Sequence, residues 1–462
     1  MSTMLTVKTT YSTNDEQTSV PLSFVVIGGS IAGLACAYSL RRAGHEVVVI
    51  DKAIGPEYFE NGRATIRSPP NMTRILKEWG LQSSLDEIGI KNARIVFRQG
   101  ATGETMGTII FHDQIMKAFR ADYLFLQYGL LWGLLYRLAT EAGITVRFNS
   151  GVTAIDPHQP SVLLSSGETL SCDIVVGADG YESVTRRCIL GNQVKAVSDK
   201  RCNLTLCVPR DILRADSDLA YFAEAPEWNA WLGNGTCICG ALASAEWYSL
   251  VLTLPEDSSV FQENWDRECS LDQLDLELAS YDPRVRKMIQ LGRGATAVKF
   301  VRHEPFENLV HESGRVLIVG DAAHPMPPDR DLNASTAVED AMTLGSMFSR
   351  LTSRNQIGGL MSAFEDIRQP RSVSVVKSEH HRLDFLSLPD GPEQQARDDG
   401  LRAALSLAQL DWDNADEDYL RETWDDYIAM FNYDAREVVD DWWTKWGPVM
   451  RRASVSHEQT KE

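Results

Sequence analysis

Short apolar runs along the chain alternate with segments of helical spacing, and the first such alternation occupies residues 22–51. The run L-S-F-V-V-I (22–27) is apolar throughout and closed by glycines, which predicts a buried strand. G-G-S-I-A-G follows, then A-C-A-Y-S-L-R-R-A-G, a helix that Gly44 is placed to end as the first residue beyond it. E-V-V-V-I-D (46–51) predicts a second strand. Strand, glycine turn, helix and strand within about 30 residues make a βαβ unit with parallel strands.

Two later runs, D-I-V-V-G-A-D-G (173–180) and R-V-L-I-V-G-D-A-A (315–323), predict further buried strands that end in turns. Between them the texture changes. L-T-L-C-V (204–208), T-C-I-C-G-A-L (236–242) and Y-S-L-V-L-T-L (248–254) alternate with turn residues, as in a mixed or antiparallel sheet inserted into the first domain. Ala337, Ala341, Leu344, Phe348 and Leu351 recur at helical spacing and predict a helix with an inward apolar stripe. Leu420, Trp424, Tyr427 and Phe431 repeat the pattern near the C-terminus.

The expected class is therefore α/β: a Rossmann-like domain, an inserted mixed β-sheet and a C-terminal helical region. The expected boundaries give the nucleotide domain 21–95, 114–195 and 306–370, and the sheet domain 96–113 and 196–305. Residues 1–20 are expected to be disordered and 371–462 helical.

Composition changes this picture little. With 44% apolar and 24% charged residues, the 462-residue chain is an ordinary globular protein. A net charge of −19 disfavours nucleic acid and acidic membrane surfaces as partners. Part of that charge is local: residues 411–441 hold 12 acidic residues against Arg421 and Arg436. Eight scattered cysteines, with only Cys237-x-Cys239 close together, lack zinc-knuckle spacing; no metal site and a reducing, cytoplasmic compartment are expected. Neither a secretory h-region nor an apolar run of about 20 residues is present, so no membrane span is expected.

Candidate chemistry gathers at the strand ends. Gly28-x-Ser30-x-x-Gly33 offers a tight turn, a close backbone approach and a helix N-terminus for phosphates, and Asp51 ends the next strand where it can accept ribose hydroxyls. Asp179 could accept from a ribose or ribityl hydroxyl and Arg186 could meet phosphate, although Asp-Gly alone is a common turn. Asp321 could fix a polyol hydroxyl, while His324 reads as a structural histidine in a turn.

Taken together, V-V-I-G-G-S-I-A-G-L, I-V-V-G-A-D-G-x-x-S-x-x-R, V-G-D-A-A-H-P-M-P-P and V-E-D-A (338–341) resemble the group A flavoprotein monooxygenases, the family with the para-hydroxybenzoate hydroxylase fold. L-P-D-G-P-E-Q-Q-A-R-D (388–398) further resembles its fungal, salicylate-hydroxylase-like members. The resemblance implies FAD held by Gly28, Ser30, Gly33, Asp51 and Lys52, with Arg63 and Ala64 beside the ribityl chain. It implies Arg120 facing the phosphates, Asp179 and Arg186 nearby, Asp321 on a ribityl hydroxyl, and the Ala334 amide at the flavin edge. NADPH or NADH would dock transiently and O2 would be activated as a flavin C4a-hydroperoxide.

Two departures from the family pattern stand out. Its G-Q-G-A-N loop falls on Asp331-Leu332-Asn333-Ala334-Ser335, where both glycines are gone, Asn333 tolerates left-handed backbone, and Asp331 adds a charge that Arg330 would offset. Thr205 stands where many phenol-hydroxylating relatives carry arginine, leaving Arg201 or Tyr221 to polarise the substrate. Tyr221, Phe222, Trp228, Trp231 and Trp247 suit either an aromatic pocket or core packing.

The residues thus point to a monooxygenase that hydroxylates or epoxidises an aromatic or indole-type small molecule in fungal secondary metabolism. A flavin-dependent halogenase is one alternative, against which stands a W-x-x-W (228–231) in place of W-x-W-x-I-P. A non-catalytic binding protein with a degenerate nucleotide fold is the other.

Overall fold

The first βαβ unit forms as its spacing predicts: strand β1 (Ser23–Ile27), helix α1 (Ile31–Arg42) and strand β2 (Glu46–Ile50), with Gly44 at φ +95° just beyond the helix. These coordinates are a computed structural model describing residues 17–191, 196–256, 267–269, 278–327, 332–408, 424–425 and 427–459. The N-terminal sixteen residues, Arg330, Asp331 and Leu420 therefore lie outside the described residues.

β1 and β2 belong to a five-stranded, wholly parallel sheet, in the order Val316–Ile318, Ile174–Gly177, β1, β2, Thr145–Arg147. Such a sheet is covered on both faces, which is why its strands read as near-continuous apolar runs. Val26, Val49, Val176 and Leu317 are wholly buried. α1 packs against the helix Asn333–Phe348, which starts before the predicted stripe and buries Ala337, Ala341, Leu344 and Phe348.

His45 ties these layers together. Its Nδ1 accepts from the Leu22 N–H at 3.2 Å, and Nε2 lies 3.2 Å from the Phe348 carbonyl, to which it donates. Burial lowers its pKa to about 4, against the opposing pull of the Phe348 carbonyl and Asp173. In the unfolded chain the imidazole titrates near 6.5, so between the two values the unfolded state binds more protons and stability rises with pH. The folded protein is expected to lose about 3 kcal/mol from this group as pH falls from 6.5 to 4. Urea midpoints across that range test this: a His45→Gln variant should show a flatter slope, and an unchanged slope would exclude His45 as the source.

The inserted sheet has eight strands, in the order Arg267–Cys269, Arg293–His303, Ala196–Pro209, Trp247–Pro255, Cys237–Leu242, Glu227–Leu232, Arg94–Gln99, Thr105–Ile110. It is mixed, because Arg94–Gln99 runs parallel to Glu227–Leu232 while the other pairs are antiparallel. Alternation along each strand sorts its side chains by size. The outer face buries Leu204, Leu206, Trp231 and Tyr248 under Leu213, Phe222 and Met288. The inner face carries Ala230, Cys237, Cys239 and Ala241 beside Phe97 and Trp228, and by the same alternation Thr205 and Cys207.

The inner face packs toward Met326 and Leu332, which flank the cofactor-type loop, and toward Trp424 and Phe431 of the C-terminal region. Arg74 fastens that region by donating to the carbonyls of Phe119, Phe431 and Tyr433 at 2.8, 3.1 and 2.8 Å. Among the described residues, no helix is long and apolar enough to cross a membrane.

Candidate cofactor site

Parallel pairing brings three distant segments to one edge. Gly28 N–H donates to the Ile50 carbonyl at 2.8 Å, Ala178 N–H to Ile27 at 2.8 Å, and Val319 N–H to Gly177 at 2.9 Å. The turns after β1, Ile174–Gly177 and Val316–Ile318 thus lie side by side at the carboxyl ends of adjacent strands, where ligands of open α/β sheets bind.

The first turn is too tight for side chains. Gly28 has φ +104°, and a Cβ on it would meet the Ala178 carbonyl oxygen at 2.2 Å; one on Gly33 would meet the Gly28 oxygen at 1.8 Å. Ser30 caps α1 with extended backbone and makes no side-chain cap bond, so the helix's leading amides remain available to an anion. Both Asp51 oxygens accept backbone bonds, from Gly29 N–H at 2.6 Å and Ala53 N–H at 2.7 Å. The carboxylate is thereby fixed as an acceptor at the tip of β2, with lone pairs left for hydroxyls. Lys52 beside it is exposed.

The third turn is a 3-10 turn, Gly320–Ala322, with Gly320 at φ +59° and its N–H donating to Asp340 Oδ2 at 2.9 Å. Asp321 Oδ1 is buried and has no partner among the described residues. Burial pushes this carboxyl up, and His324, Arg186 and the nearby Asn333 side chain oppose it. A buried oxygen in that state calls for a bonding partner, and a ribityl hydroxyl is of the right chemistry. The helix Asn333–Phe348 opens nearby; its first bond runs from Thr336 N–H to the Leu332 carbonyl at 2.9 Å. The amides of Asn333, Ala334 and Ser335 thus precede the helical ladder, a suitable set for an electron-rich ring edge.

Beneath these turns lies a buried charge network. Asp340 Oδ2 accepts from His324 Nε2 at 2.7 Å and Oδ1 from Arg368 Nε at 2.7 Å. Glu339 meets Arg368 at 3.0 Å, Arg371 at 2.9 Å and Asn71 Nδ2 at 2.7 Å. Burial acts against the Asp340 charge, but His324 and Arg368 hold its carboxyl below the usual range. Reading Val338–Ala341 as a family signature missed that Glu339 and Asp340 are the buried counter-ions of this network.

Several expected residues are engaged elsewhere. Asp179 accepts from Thr185 N–H and Oγ1 at 3.0 and 3.1 Å, so it caps the helix Val184–Leu190. Arg186 is buried over the Phe306 ring and donates to the carbonyls of Tyr181, Asp321 and Ala322, bracing the third turn from behind. Arg63 stacks 4.6 Å over Trp247 and accepts from Cys207 Sγ through its carbonyl, joining the nucleotide domain to the inner face. The Ala64 carbonyl accepts from Tyr128 N–H at 2.9 Å.

Arg120 has φ +61° and a side chain 66% exposed, 3.8 Å from Asp434. The structure places it on the C-terminal side rather than at the turns. Gln127 stands at a strand-to-helix junction: it ends Leu124–Gln127, is the N-cap residue of Tyr128–Glu141 and donates to the Gly62 carbonyl at 3.2 Å. Trp132 of that helix donates to the Gly29 carbonyl at 2.7 Å. The signal was the run L-F-L-Q before a helical Y-G-L-L-W.

Arg201 and Tyr221 are both taken up by neighbouring protein groups. Arg201 is held by Asp199, by Asp384 at 2.7 Å and by Ser387 Oγ at 2.8 Å. Tyr221 is 47% exposed, and its hydroxyl donates to Glu227 at 2.8 Å on the outer face. Phe222 and Trp231 are core residues of that face, while Trp228 lies on the inner one, under the Arg67 guanidinium at 4.8 Å.

Open helix-leading amides, a glycine cradle, a fixed ribose-type acceptor and a buried partnerless carboxyl oxygen all fit FAD. Comparison with known proteins agrees. The family model described as an FAD binding domain matches residues 22–379. The FAD-dependent monooxygenase OpS4 of Beauveria bassiana is 27% identical over 430 residues, covering 91% of this chain and 97% of its own. The 3-amino-4-hydroxybenzoate 2-monooxygenase PtmB3 of Streptomyces platensis is 28% identical, covering 84% and 94%. The crystal structure of CtdE with FAD and substrate has a similar fold, with TM-score 0.76 at 18% identity over 94% of this chain and 100% of its own. The chain belongs to the FAD-binding-domain family of group A flavoprotein monooxygenases and is an FAD-dependent oxidoreductase.

Proposed function

We propose that this protein uses NAD(P)H and O2 to hydroxylate or epoxidise an electron-rich aromatic or indole-type small molecule, in a fungal secondary-metabolic setting. The convergence of three strand ends on one edge carries this reading, because it assembles a single site for one large cofactor. Bound FAD would supply hydride acceptance and oxygen activation; the protein supplies binding, orientation and exclusion of water.

Gly28, Ser30 and Gly33 would hold the pyrophosphate, Asp51 the ribose, Asp321 the ribityl chain, and the amides around Ala334 the ring edge. Small side chains on the inner face leave room for a flat substrate, and Phe97, Trp228 and Trp424 supply aromatic walls. The phenolic ring named in PtmB3 supports an oxygenated aromatic substrate.

The purified protein is expected to be yellow and to consume NADPH or NADH faster with some members of a panel of indoles, phenols and polyketides. A yellow protein whose nicotinamide oxidation no aromatic stimulates would overturn the substrate class. A colourless one would overturn the oxygenase reading.

A further inference from the structure

The strand Thr65–Ser68 of the nucleotide domain runs across the inner face of the eight-stranded sheet, and two contacts fix its course. At one end the Arg63 carbonyl, two residues before Thr65, accepts from Cys207 Sγ at 3.4 Å. At the other, the Arg67 guanidinium lies 4.8 Å from the centre of the Trp228 ring. Cys207 and Trp228 stand on strands three places apart in the sheet, with Trp247–Pro255 and Cys237–Leu242 between them. Three strand spacings come to about 14 Å, and four extended residues to about 13 Å. Thr65 is therefore suspended midway, over the two central strands.

Its side chain faces the sheet. Arg67 pairs with Phe125 of the inner-face cluster, and Thr65, two residues back, points the same way. Ser249 pairs with both Ala241 and Cys207 and so belongs to the inner face. Thr65 Oγ1, Ser249 Oγ and Trp228 Nε1 are buried, and none has a hydrogen-bond partner among the described residues. These residues are 5%, 3% and 7% exposed, so bulk water does not satisfy them. Two hydroxyls on opposing walls that bond neither each other nor any other group enclose a gap that calls for an occupant.

The gap selects by charge and by donor count. The indole N–H only donates, and either hydroxyl can donate. The buried Arg67 guanidinium adds positive charge along the same wall. An occupant must then bring acceptors, and a negative one gains most. A carboxylate has two oxygens and about four lone-pair sites, enough for three donors drawn from two walls. A single phenolate oxygen has fewer, and a carboxamide brings an NH2 where the site already donates. Arg67 thereby supplies a cation from the nucleotide domain where the sheet offers Thr205.

We propose that this gap takes the carboxylate of an aromatic acid, its oxygens held by Thr65, Trp228 and Ser249 beside Arg67. The inference rests on the proposed oxygenation of an aromatic molecule, and adds the group by which the protein selects it.

The test titrates the FAD-loaded full chain with 2-naphthoate, 2-naphthamide and 2-naphthol, and with indole-3-carboxylate and its amide. Binding is read by calorimetry and by the flavin spectrum. Each acid is expected to bind at least about tenfold more tightly than its amide. Trp228→Phe, which keeps a ring and removes the N–H, and Ser249→Ala should each weaken acid binding about tenfold while amide binding stays within about twofold. Equal binding of acid and amide, or no binding of either acid, would leave the gap to a buried water and end the proposal. So would an acid preference that persists in both variants. Naphthol bound as tightly as naphthoate would assign the site to a phenolic oxygen and equally refute the carboxylate. Aromatic-stimulated nicotinamide oxidation without acid preference sinks this inference alone. A protein that takes up no flavin yet still prefers acids sinks the oxygenase reading alone.

Discussion

Replacing Arg368 with leucine is expected to destabilise the protein by about 3–5 kcal/mol, the usual effect of removing one partner from a buried charge network. Arg368 is wholly buried, pairs with Asp340 at 2.7 Å and Glu339 at 3.0 Å, and donates to the Thr336 carbonyl at 3.1 Å. Without it, two buried carboxylates share Arg371 and the His324 ring. The effect should reach the cofactor as well. Asp340 also accepts from Gly320 N–H at 2.9 Å and so sets the turn that presents Asp321. Urea unfolding of Arg368→Leu, alongside flavin retention on dialysis, measures both effects. A loss under about 1 kcal/mol would mean that the network is solvated and not a buried support.

A comparable loss, felt first at the cofactor and also in folding, is expected for Gly33→Val. The new Cβ would lie 1.8 Å from the Gly28 carbonyl oxygen, a backbone atom that cannot step aside without moving α1 off the end of β1. Flavin affinity should fall by at least about a hundredfold, because the helix-leading amides and the Asp51 carboxylate no longer face one ligand. Gly133→Ala is the matched control. It lies in the helix Tyr128–Glu141 with nothing within 4 Å of the added methyl, and should bind flavin normally and gain up to about 1 kcal/mol of stability. Normal flavin content in Gly33→Val would remove the first turn from the binding site.

Much of this was legible before any coordinates. The parallel strands show as apolar runs because both of their faces are covered, and Gly28, Gly33, Asp51 and Asp321 stand where strand ends must stand. What stayed hidden depends on contacts that no local pattern carries. Asp179 and Arg186 carry the right chemistry for a ligand, yet the adjoining helix terminus and the third turn engage them first. Arg120 followed from the family resemblance alone, and the turn there, at φ +61°, leaves its side chain exposed beside Asp434. Trp231 differs from Trp228 only by the side of the sheet it faces, which is set by pairing with Arg94–Gln99, over a hundred residues away, and Tyr221 lies on the short helix Ala220–Glu224 outside the sheet. Glu339 and Asp340 read as part of a family signature, and their role as buried counter-ions shows only once Arg368 and Arg371 enclose them.

The unequal distribution of bulk across the eight-stranded sheet has a consequence for how the protein can diversify. Large side chains carry the packing of the outer face, while the short residues Ala230 and Ala241 of the inner face are buried among Phe97, Trp228 and Met326. Enlarging either alanine would overfill that packed layer, at a cost typically of about 1–3 kcal/mol. Any change of shape on that face must therefore come with compensating exchanges among its aromatic neighbours.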